Sequence, residues 1–530
     1  MRNKKLHVWL PLILSLVMIS GMFFGFKLNQ QTGSTDGFFK RDKRTALQEA
    51  LDLIKNRYVD SIGIDSLQDD AMQEMVSHLD PHSVYIPATD FDAANEDIVG
   101  NFEGIGVEFN IFSDTVHVLY VIPGGPSDKA GLQIGDKILA VNDSNIISKT
   151  LPSADIRKMI RGEGGTTVKL TILRGNTTQY FNVVRGTIPL PSLDAAYMLD
   201  AATGYIKLSK FSSTTYKEFM QAMEALQKKN MKALVLDLRN NGGGLMDQAT
   251  AIADEFLDGD KLIVYTEGTN TPRREYKASK EGVFESGKLV VLVDELSASA
   301  SEVLAGALQD WDRATIVGRR TFGKGLVQEQ YQLSDGSALR LTVARYYTPI
   351  GRSIQRPYDK GKKVYMEEIY NRYESGEMLT ADSIHFKNQQ SYKTKGGKTV
   401  YGGGGIMPDV FVPIDSSLFI QSITKLYLDG RFNNFVYQYY TKHLDHWQQY
   451  KNPADFAARY NNLNDAWSEL VKYASKDSIN LKNVPADDRS EVQDRIKAYL
   501  ARFRWRTQGY YEVMNTTDDM VQKALAVLRR

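Results

Sequence analysis

Three serines at alternate positions, Ser297, Ser299 and Ser301, lie in the run Val290 to Glu302, where an apolar stretch gives way to a turn and then to a helical pattern. A serine at a strand-to-helix junction meets free N–H groups and the positive end of the helix dipole, which stabilise a developing oxyanion. The same residues also read as an ordinary helix start, because Ser299-x-x-Glu302 has capping-box spacing. A nucleophilic serine needs a general base. The seven histidines are His7, His78, His82, His117, His385, His443 and His446, and none lies between Ile188 and Ile384 around these serines. That distribution argues against a Ser-His-Asp triad built within this region. A lysine serves instead if burial or a neighbouring cation keeps its amine neutral. Lys324, in the run Arg320 to Gln328, is flanked by Gly323 and Gly325, which permit close backbone approach, and follows Phe322, which can exclude water. A Gly-Lys-Gly turn alone is equally a solvated loop, but Ser–Lys pairing is one variant of the triad chemistry.

These residues need a scaffold that brings two distant loops together. From Ile188 to about Ile414 the pattern alternates between strand and helix. Gly204–Leu208 reads as a strand, Thr215–Lys229 as a helix and Ala233–Leu238 as a buried strand. Leu245–Leu257 then reads as a helix, Leu289–Val293 as a buried strand and Ser301–Trp311 as a helix. Continuous apolar strands separated by helices predict a largely parallel sheet covered on both faces. The turn Asn240-Asn241-Gly242-Gly243-Gly244 follows one buried strand, near the sheet edge where such folds place their sites. A phosphate loop would continue Gly-Lys-Ser/Thr, and Leu245-Met246-Asp247 does not. An oxyanion hole fits better, built from the Ala300 N–H and a glycine N–H, with Gly243 the first choice and Gly244 the second. Residues 360–400 are polar and weakly periodic, which suggests an insertion or mobile loop.

Upstream, residues 100–187 consist of short β-type runs broken by turns. Gly104-Ile105-Gly106-Val107 spaces two glycines so that backbone N–H groups can form a nest for a carboxylate, with a strand edge beside it for an extended peptide. With Pro126 to Leu132 and Gly135 to Asn142 downstream, the segment resembles a PDZ domain. That resemblance implies capture of a protein C-terminus by strand addition.

The runs Ser297–Glu302 and Thr321–Gly325 together with Gln328 resemble the carboxyl-terminal processing peptidases, or tail-specific proteases. The likeness covers about residues 40–415. It includes Leu79-Asp80-Pro81-His82-Ser83, Leu236 to Gly244, Arg345 to Gln355 and Gly405 to Asp409, with the PDZ-like segment embedded. It implies an α/β multidomain protein with a ClpP/crotonase-like catalytic core and an inserted PDZ domain. It further implies Ser299 as nucleophile, Lys324 as general base and Gln328 positioning the lysine amine, with Ser297 and Ser301 structural. His82 is expected to be a structural hydrogen-bonding residue. The activity implied is serine endopeptidase cleavage near the C-termini of exported proteins with unstructured tails, with no cofactor and no metal. An inert PDZ-containing scaffold or chaperone of the cell envelope is the alternative. An acyl-CoA enzyme on the same core is disfavoured, because enolate chemistry needs neither the PDZ domain nor the Ser299–Lys324 pair.

The rest of the chain bounds the setting. With 530 residues, 65 basic and 64 acidic side chains and a formal charge of +1, nothing draws the whole chain to nucleic acid. The absence of cysteine excludes disulfides, a cysteine nucleophile and cysteine-linked lipid anchors. Val8–Phe26 is an uncharged run of 19 residues preceded by Arg2, Lys4 and Lys5. At about 1.5 Å per residue it nearly spans a hydrocarbon core of about 30 Å. It predicts a single-pass inner-membrane anchor with a cytoplasmic N-terminus and a periplasmic catalytic domain. The domains expected are therefore 1–36 (stub, anchor and linker), 37–99 (helical), 100–187 (PDZ), 188–415 (peptidase core) and 416–530 (helical extension). For the aromatic-rich extension the readings are a lid, an oligomer contact, an adaptor-docking surface or simple packing on the core.

Overall fold

The computed structural model describes residues 4–31, 45–112, 114–147, 151–383, 390–415 and 420–530. The chain forms two compact units, Met1–Met75 and Val76–Arg530. In the first, helix Lys4–Gln31 encloses the uncharged run, and Trp9, Ile13, Leu14, Leu16 and Val17 are exposed on it. Among the described residues no helix is long and apolar enough to cross a membrane. The transmembrane anchor expected over Val8–Phe26 is therefore not supported there. The side chains of Val8, Leu10, Leu12 and Phe26 lie outside the described ones. Helix Ala46–Arg57 starts on a Thr45/Gln48 capping box.

The expected helical domain over 37–99 does not hold as one body, because from Val76 the chain joins the larger unit. Beyond helix Ile64–Ser77, Asp80 organises a turn by accepting the N–H groups of His82 (2.8 Å) and Ser83 (2.9 Å). The turn delivers Val84–Ile86 as a strand, antiparallel to Ala338–Tyr347, with Val84 opposite Arg340.

The larger unit contains a six-stranded sheet. Its order is Leu193–Met198, Thr203–Leu208, Ala233–Asp237, Lys288–Val293, Thr315–Gly318 and Val410–Phe411, parallel except for the first strand. Helices Thr215–Gln227, Met246–Asp254 and Ala300–Asp310 bury Phe219, Ile252 and Leu304 against Leu234, Leu236 and Val291 on one face. The other face, with Val235, Val290 and Leu292, is covered by Met520, Val521 and Ala524 of the C-terminal helix Asp519–Leu528. A second, antiparallel sheet, not foreseen from the sequence, contains Leu326–Gln332 hydrogen-bonded to Ala338–Tyr347. Its partly exposed, mixed side chains carry no continuous apolar signal.

Residues 107–184 form a separate antiparallel sheet, ordered Val107–Phe112, Thr115–Val121, Lys137–Val141, Thr167–Arg174 and Thr177–Val184. Helix Ser153–Ile160 packs Ile156 and Ile160 into the same core as Val116, Ile138 and Leu170. Val107–Phe112 is an edge strand. Asn101–Gly104 pairs with Gly186–Pro189 and closes the neck of this inserted module.

Two further segments differ from expectation. The 360–400 stretch contains a helix, Lys362–Glu374, and a hairpin of Ser391–Lys393 with Thr399–Tyr401; residues 384–389 lie outside the description. The helix is held by buried Tyr365 and Arg372, an ion-pair pattern that hydropathy does not reveal. The extension has its own aromatic core, which also takes in Phe112 and Leu119 of the inserted module. Arg502 and Arg506 pair with Glu108 at 2.7 and 2.6 Å.

Candidate active site

Adjacent parallel strands place the loops at their carboxyl ends side by side. Ala233–Asp237 and Lys288–Val293 are such neighbours, so the Asn240–Gly244 turn meets the Asp294–Ser299 turn. Asp294 accepts the N–H groups of Asn240 (2.9 Å), Leu296 (3.1 Å) and Ser297 (3.0 Å). The Asn241 carbonyl accepts the Ala298 N–H at 3.0 Å and the Ser301 hydroxyl at 2.9 Å. Ser297 Oγ donates to the Leu238 carbonyl at 2.8 Å. Ser297 and Ser301 are thus fully buried and spent on the scaffold, whereas the middle serine is partly exposed and lines a cavity of about 550 Å³.

Ser299 sits immediately before helix Ala300–Asp310 at φ 55° and ψ −114°. A non-glycine residue in this region costs on the order of 1–3 kcal/mol, and the surroundings must impose it. Glu302 does much of this. Its Oε2 accepts the Ser299 N–H at 2.9 Å, while the Ser299 carbonyl accepts the Tyr346 hydroxyl at 3.1 Å. The capping-box spacing seen in the sequence is therefore realised through the glutamate, at a strained serine.

The Glu302 carboxylate also holds the second loop. Oε2 accepts the Lys324 N–H (2.9 Å), and Oε1 accepts the Gly323 N–H (2.7 Å) and the Thr321 hydroxyl (2.5 Å). Four donors fill the four acceptor positions of a carboxylate, leaving none for a proton. Burial pushes the carboxyl up to about 7 against these bonds. The Tyr346 hydroxyl bridges the same two loops, donating to the Ser299 and Lys324 carbonyls. Arg372 ties the outer side by donating to the carbonyls of Arg320, Thr321 and Phe322. Gly323 is required here, since φ is +87° and an added Cβ would lie 3.1 Å from the Gly405 nitrogen.

Lys324 and Gln328 line the same cavity as Ser299. The lysine amine donates to Gln328 Oε1 at 2.8 Å, and Gln328 Nε2 donates to the His82 carbonyl at 2.6 Å. No hydrogen bond joins Lys324 Nζ to Ser299 Oγ. Burial, then the Arg340 charge, holds the amine below its ordinary value, against the opposing pull of Asp80 and Glu302. Arg340, on the cavity wall, is fixed by Gln330 Oε1 at 2.8 Å. His82 reaches Tyr365 Oη through Nε2 at 2.8 Å. Burial, with the Lys324 charge second, holds its imidazole down at about 4, so it is neutral at physiological pH.

Of the N–H groups expected as oxyanion donors, only some are free. The Gly243 N–H is already given to Asn241 Oδ1 at 2.9 Å, because the Asn241 side chain folds back over its own turn. Gly244, exposed on the cavity wall, has no hydrogen bond on its N–H among the described residues, and neither has Ala300. Gly243 matters in another way. At φ +97° an added Cβ would lie 2.7 Å from the Ala298 oxygen and 3.0 Å from the Ala300 nitrogen, so any side chain would obstruct that donor.

In the inserted module, Ile105, Gly106 and Val107 line a small groove between the edge strand and helix Ser153–Ile160; Gly104 is not among its lining residues, and a Cβ there would meet the Phe102 ring at 2.9 Å. Glu302, Tyr346, Arg340 and Asn241 are the functional-site residues not singled out as such from the sequence. Only Glu302 carried a local signal, its spacing from Ser299. Among the described residues, no group of three or more His, Asp or Glu is arranged to hold a metal ion.

A strained serine, a buried lysine amine and free backbone donors on one cavity define a serine peptidase class, here with a separate β-rich module inserted. Family models for peptidase family S41 and for a PDZ domain match residues 202–361 and 117–174, and a family of unknown function matches 422–506. The carboxy-terminal processing protease CtpA of Bacillus subtilis (strain 168) is 35% identical over 360 residues, covering 68% of this chain and 75% of that protein. The carboxy-terminal-processing protease of Bartonella bacilliformis is 32% identical over 357 residues, covering 66% and 81%. A solved structure of the photosystem II D1 C-terminal processing protease is 29% identical, covers 69% of this chain and 86% of that one, and superposes with a TM-score of 0.36. The chain belongs to peptidase family S41, as a carboxy-terminal processing serine protease carrying a PDZ domain.

Proposed function

We propose that peptide cleavage runs through a Ser299–Lys324 dyad on a ClpP/crotonase-like core, and that the PDZ groove captures the C-terminal tails to be cut. The observation that carries this reading is the single buried carboxylate of Glu302, which clamps the serine and lysine loops around one cavity. The neutral Lys324 amine takes the Ser299 Oγ proton as the oxygen attacks the scissile carbonyl, forming a tetrahedral oxyanion. Ala300 and Gly244 N–H groups stabilise the oxyanion. Collapse breaks the C–N bond, the lysine ammonium gives its proton to the leaving amine, and water then releases the acyl group by the same route. The amine must approach Oγ to within about 3 Å, a contact that commonly tightens only when substrate is bound. Gln328 holds the amine in the cavity until then. Ser299→Ala, Lys324→Ala and the permanently charged Lys324→Arg should each abolish cleavage of a reporter protein with an unfolded C-terminal tail. Turnover by any of the purified, folded variants would refute the dyad.

For location, the proposal is a cell-envelope protein whose Val8–Phe26 run embeds in lipid with the peptidase outside the cytoplasm. The uncharged run, its basic flank and the exposed apolar side chains on helix Lys4–Gln31 support it. Release of the intact chain from membranes by alkaline wash would refute embedding.

A further inference from the structure

The groove of the PDZ domain carries a charge asymmetry that tail capture by itself does not require. Its apolar lining comes from Ile105, Val107 and Phe109 on the strand side and Ile160 on the helix side. Two guanidinium groups stand on the same wall, Arg157 and Arg161. Arg161 is engaged, with Nη1 at 2.6 and 2.8 Å from the two Glu96 oxygens and its guanidinium over the Phe102 ring at 4.2 Å. Arg157 is exposed, and its one hydrogen bond is a 3.4 Å contact from Nε to the Ser153 carbonyl of its own helix. Among the described residues no acid pairs with it. The acids of the adjoining strands are occupied elsewhere: Glu108 with Arg502 and Arg506, and Glu103 with the Thr187 hydroxyl at 2.7 Å.

Strand geometry says which tail residue would meet this cation. Val107–Phe112 is an edge strand, so a tail can pair along it with its terminal carboxylate at the Gly104–Val107 nest. Val107 and Phe109, two positions apart, both face the groove, so tail side chains facing it are likewise two apart, a distance of about 6.6 Å. Arg157 precedes Ile160 by three helical positions, about 4.5 Å along the axis, and its long side chain extends the reach. The terminal side chain thus lies beside Ile160, and the third residue from the end faces Arg157.

We propose that Arg157 selects tails with a carboxylate side chain at the third position from the C-terminus. This deepens, and rests on, the tail-capture reading. The test uses the full chain carrying Ser299→Ala, so that bound peptides stay intact, and fluorescent peptides differing only in Glu, Gln or Lys at that position. An amidated form of each peptide is the control. Binding of the Glu peptide should be about three- to tenfold tighter than that of the Gln peptide at low salt, with the margin shrinking as salt rises. Arg157→Gln should erase the margin, Arg157→Lys should retain part of it, and Arg157→Glu should turn the preference to the Lys peptide. Equal affinities for all three peptides, each lost on amidation, would overturn the role of Arg157 while leaving tail capture standing. A Glu preference that survives in Arg157→Gln would overturn it in the same way. No binding of any peptide, or binding indifferent to amidation, would overturn tail capture and the selectivity together.

Discussion

Replacing Glu302 with glutamine removes one charge and one acceptor oxygen while keeping the volume, and it tests the clamp directly. The carboxylate accepts from Ser299, Lys324, Gly323 and Thr321. A glutamine amide has one oxygen, so its NH₂ must face two of those donors. The less costly orientation turns the NH₂ towards Thr321 and Gly323. The Gly323 N–H then loses its acceptor, and the Thr321 hydroxyl, which already accepts the Ile406 N–H at 2.6 Å, must reverse. One buried unsatisfied N–H costs about 1–3 kcal/mol, and loss of charge assistance on the remaining bonds adds to it. A total near 3 kcal/mol corresponds to about a hundredfold in rate if it falls on the active geometry. We expect Glu302→Gln to lower kcat/KM at pH 8 by on the order of a hundredfold and to lower the melting temperature by several degrees. The assay is initial-rate cleavage of a tail reporter across pH, with a thermal melt of each protein. The sign of the pH effect follows from the raised carboxyl. The ionised form that four donors require predominates above about 7 and is lost as pH falls through it, so wild-type activity declines on that side. Lys324, which must be neutral to act as base, gives a loss in the same direction. The variant should lack the glutamate contribution. Activity within threefold of wild type, with an unchanged melt, would refute the clamp.

Gly243→Ala should lower kcat more than a hundredfold with a smaller effect on stability, because the added methyl crowds the Ala300 nitrogen and the Ala298 oxygen; steady-state kinetics beside a melt would separate the two. Arg340→Gln should move the kcat/KM profile to higher pH, since removing a neighbouring cation lets the Lys324 amine hold its proton longer, while Arg340→Lys should leave it nearly in place. Tyr346→Phe removes one hydroxyl shared by the Ser299 and Lys324 carbonyls. About a tenfold fall in kcat is expected, with KM within twofold, because the Ser299 carbonyl keeps the Glu302 and Val303 N–H donors at 2.8 and 2.9 Å.

Much of the catalytic scaffold is legible in the residue pattern because buried parallel strands need unbroken apolar runs. The strands predicted at 204–208, 233–238 and 289–293 form within a residue or so of those bounds. Helix 245–257 is shorter than its pattern, Met246–Asp254, the following residues being buried outside the helix. The antiparallel sheet that carries Gln328 and Tyr346 is not legible, since its faces are mixed and its central hairpin, Leu326–Gln332 with Ala338–Tyr347, is extended by the distant strands Val84–Ile86 and Leu262–Glu267. The 360–400 helix escapes for a related reason, being held by Arg372 and Glu368 rather than by an apolar stripe.

By itself, the sequence supplied the chemistry on offer: three serines at a strand-to-helix junction, a lysine between glycines, a glycine turn and no histidine nearby. Residue types and spacing express that much, because reactivity begins with functional groups and local backbone freedom. The family resemblance singles out the middle serine; tertiary structure shows what occupies the other two. Ser297 and Ser301 are consumed by the Leu238 and Asn241 carbonyls, which only the folded sheet brings within reach. Within the glycine turn the contact is local: Asn241 Oδ1 takes the Gly243 N–H two positions on, a side-chain orientation that residue types alone do not specify. The serine bonds join residues about sixty positions apart, a proximity that chain order does not encode, so what Ser297 and Ser301 do belongs to the fold.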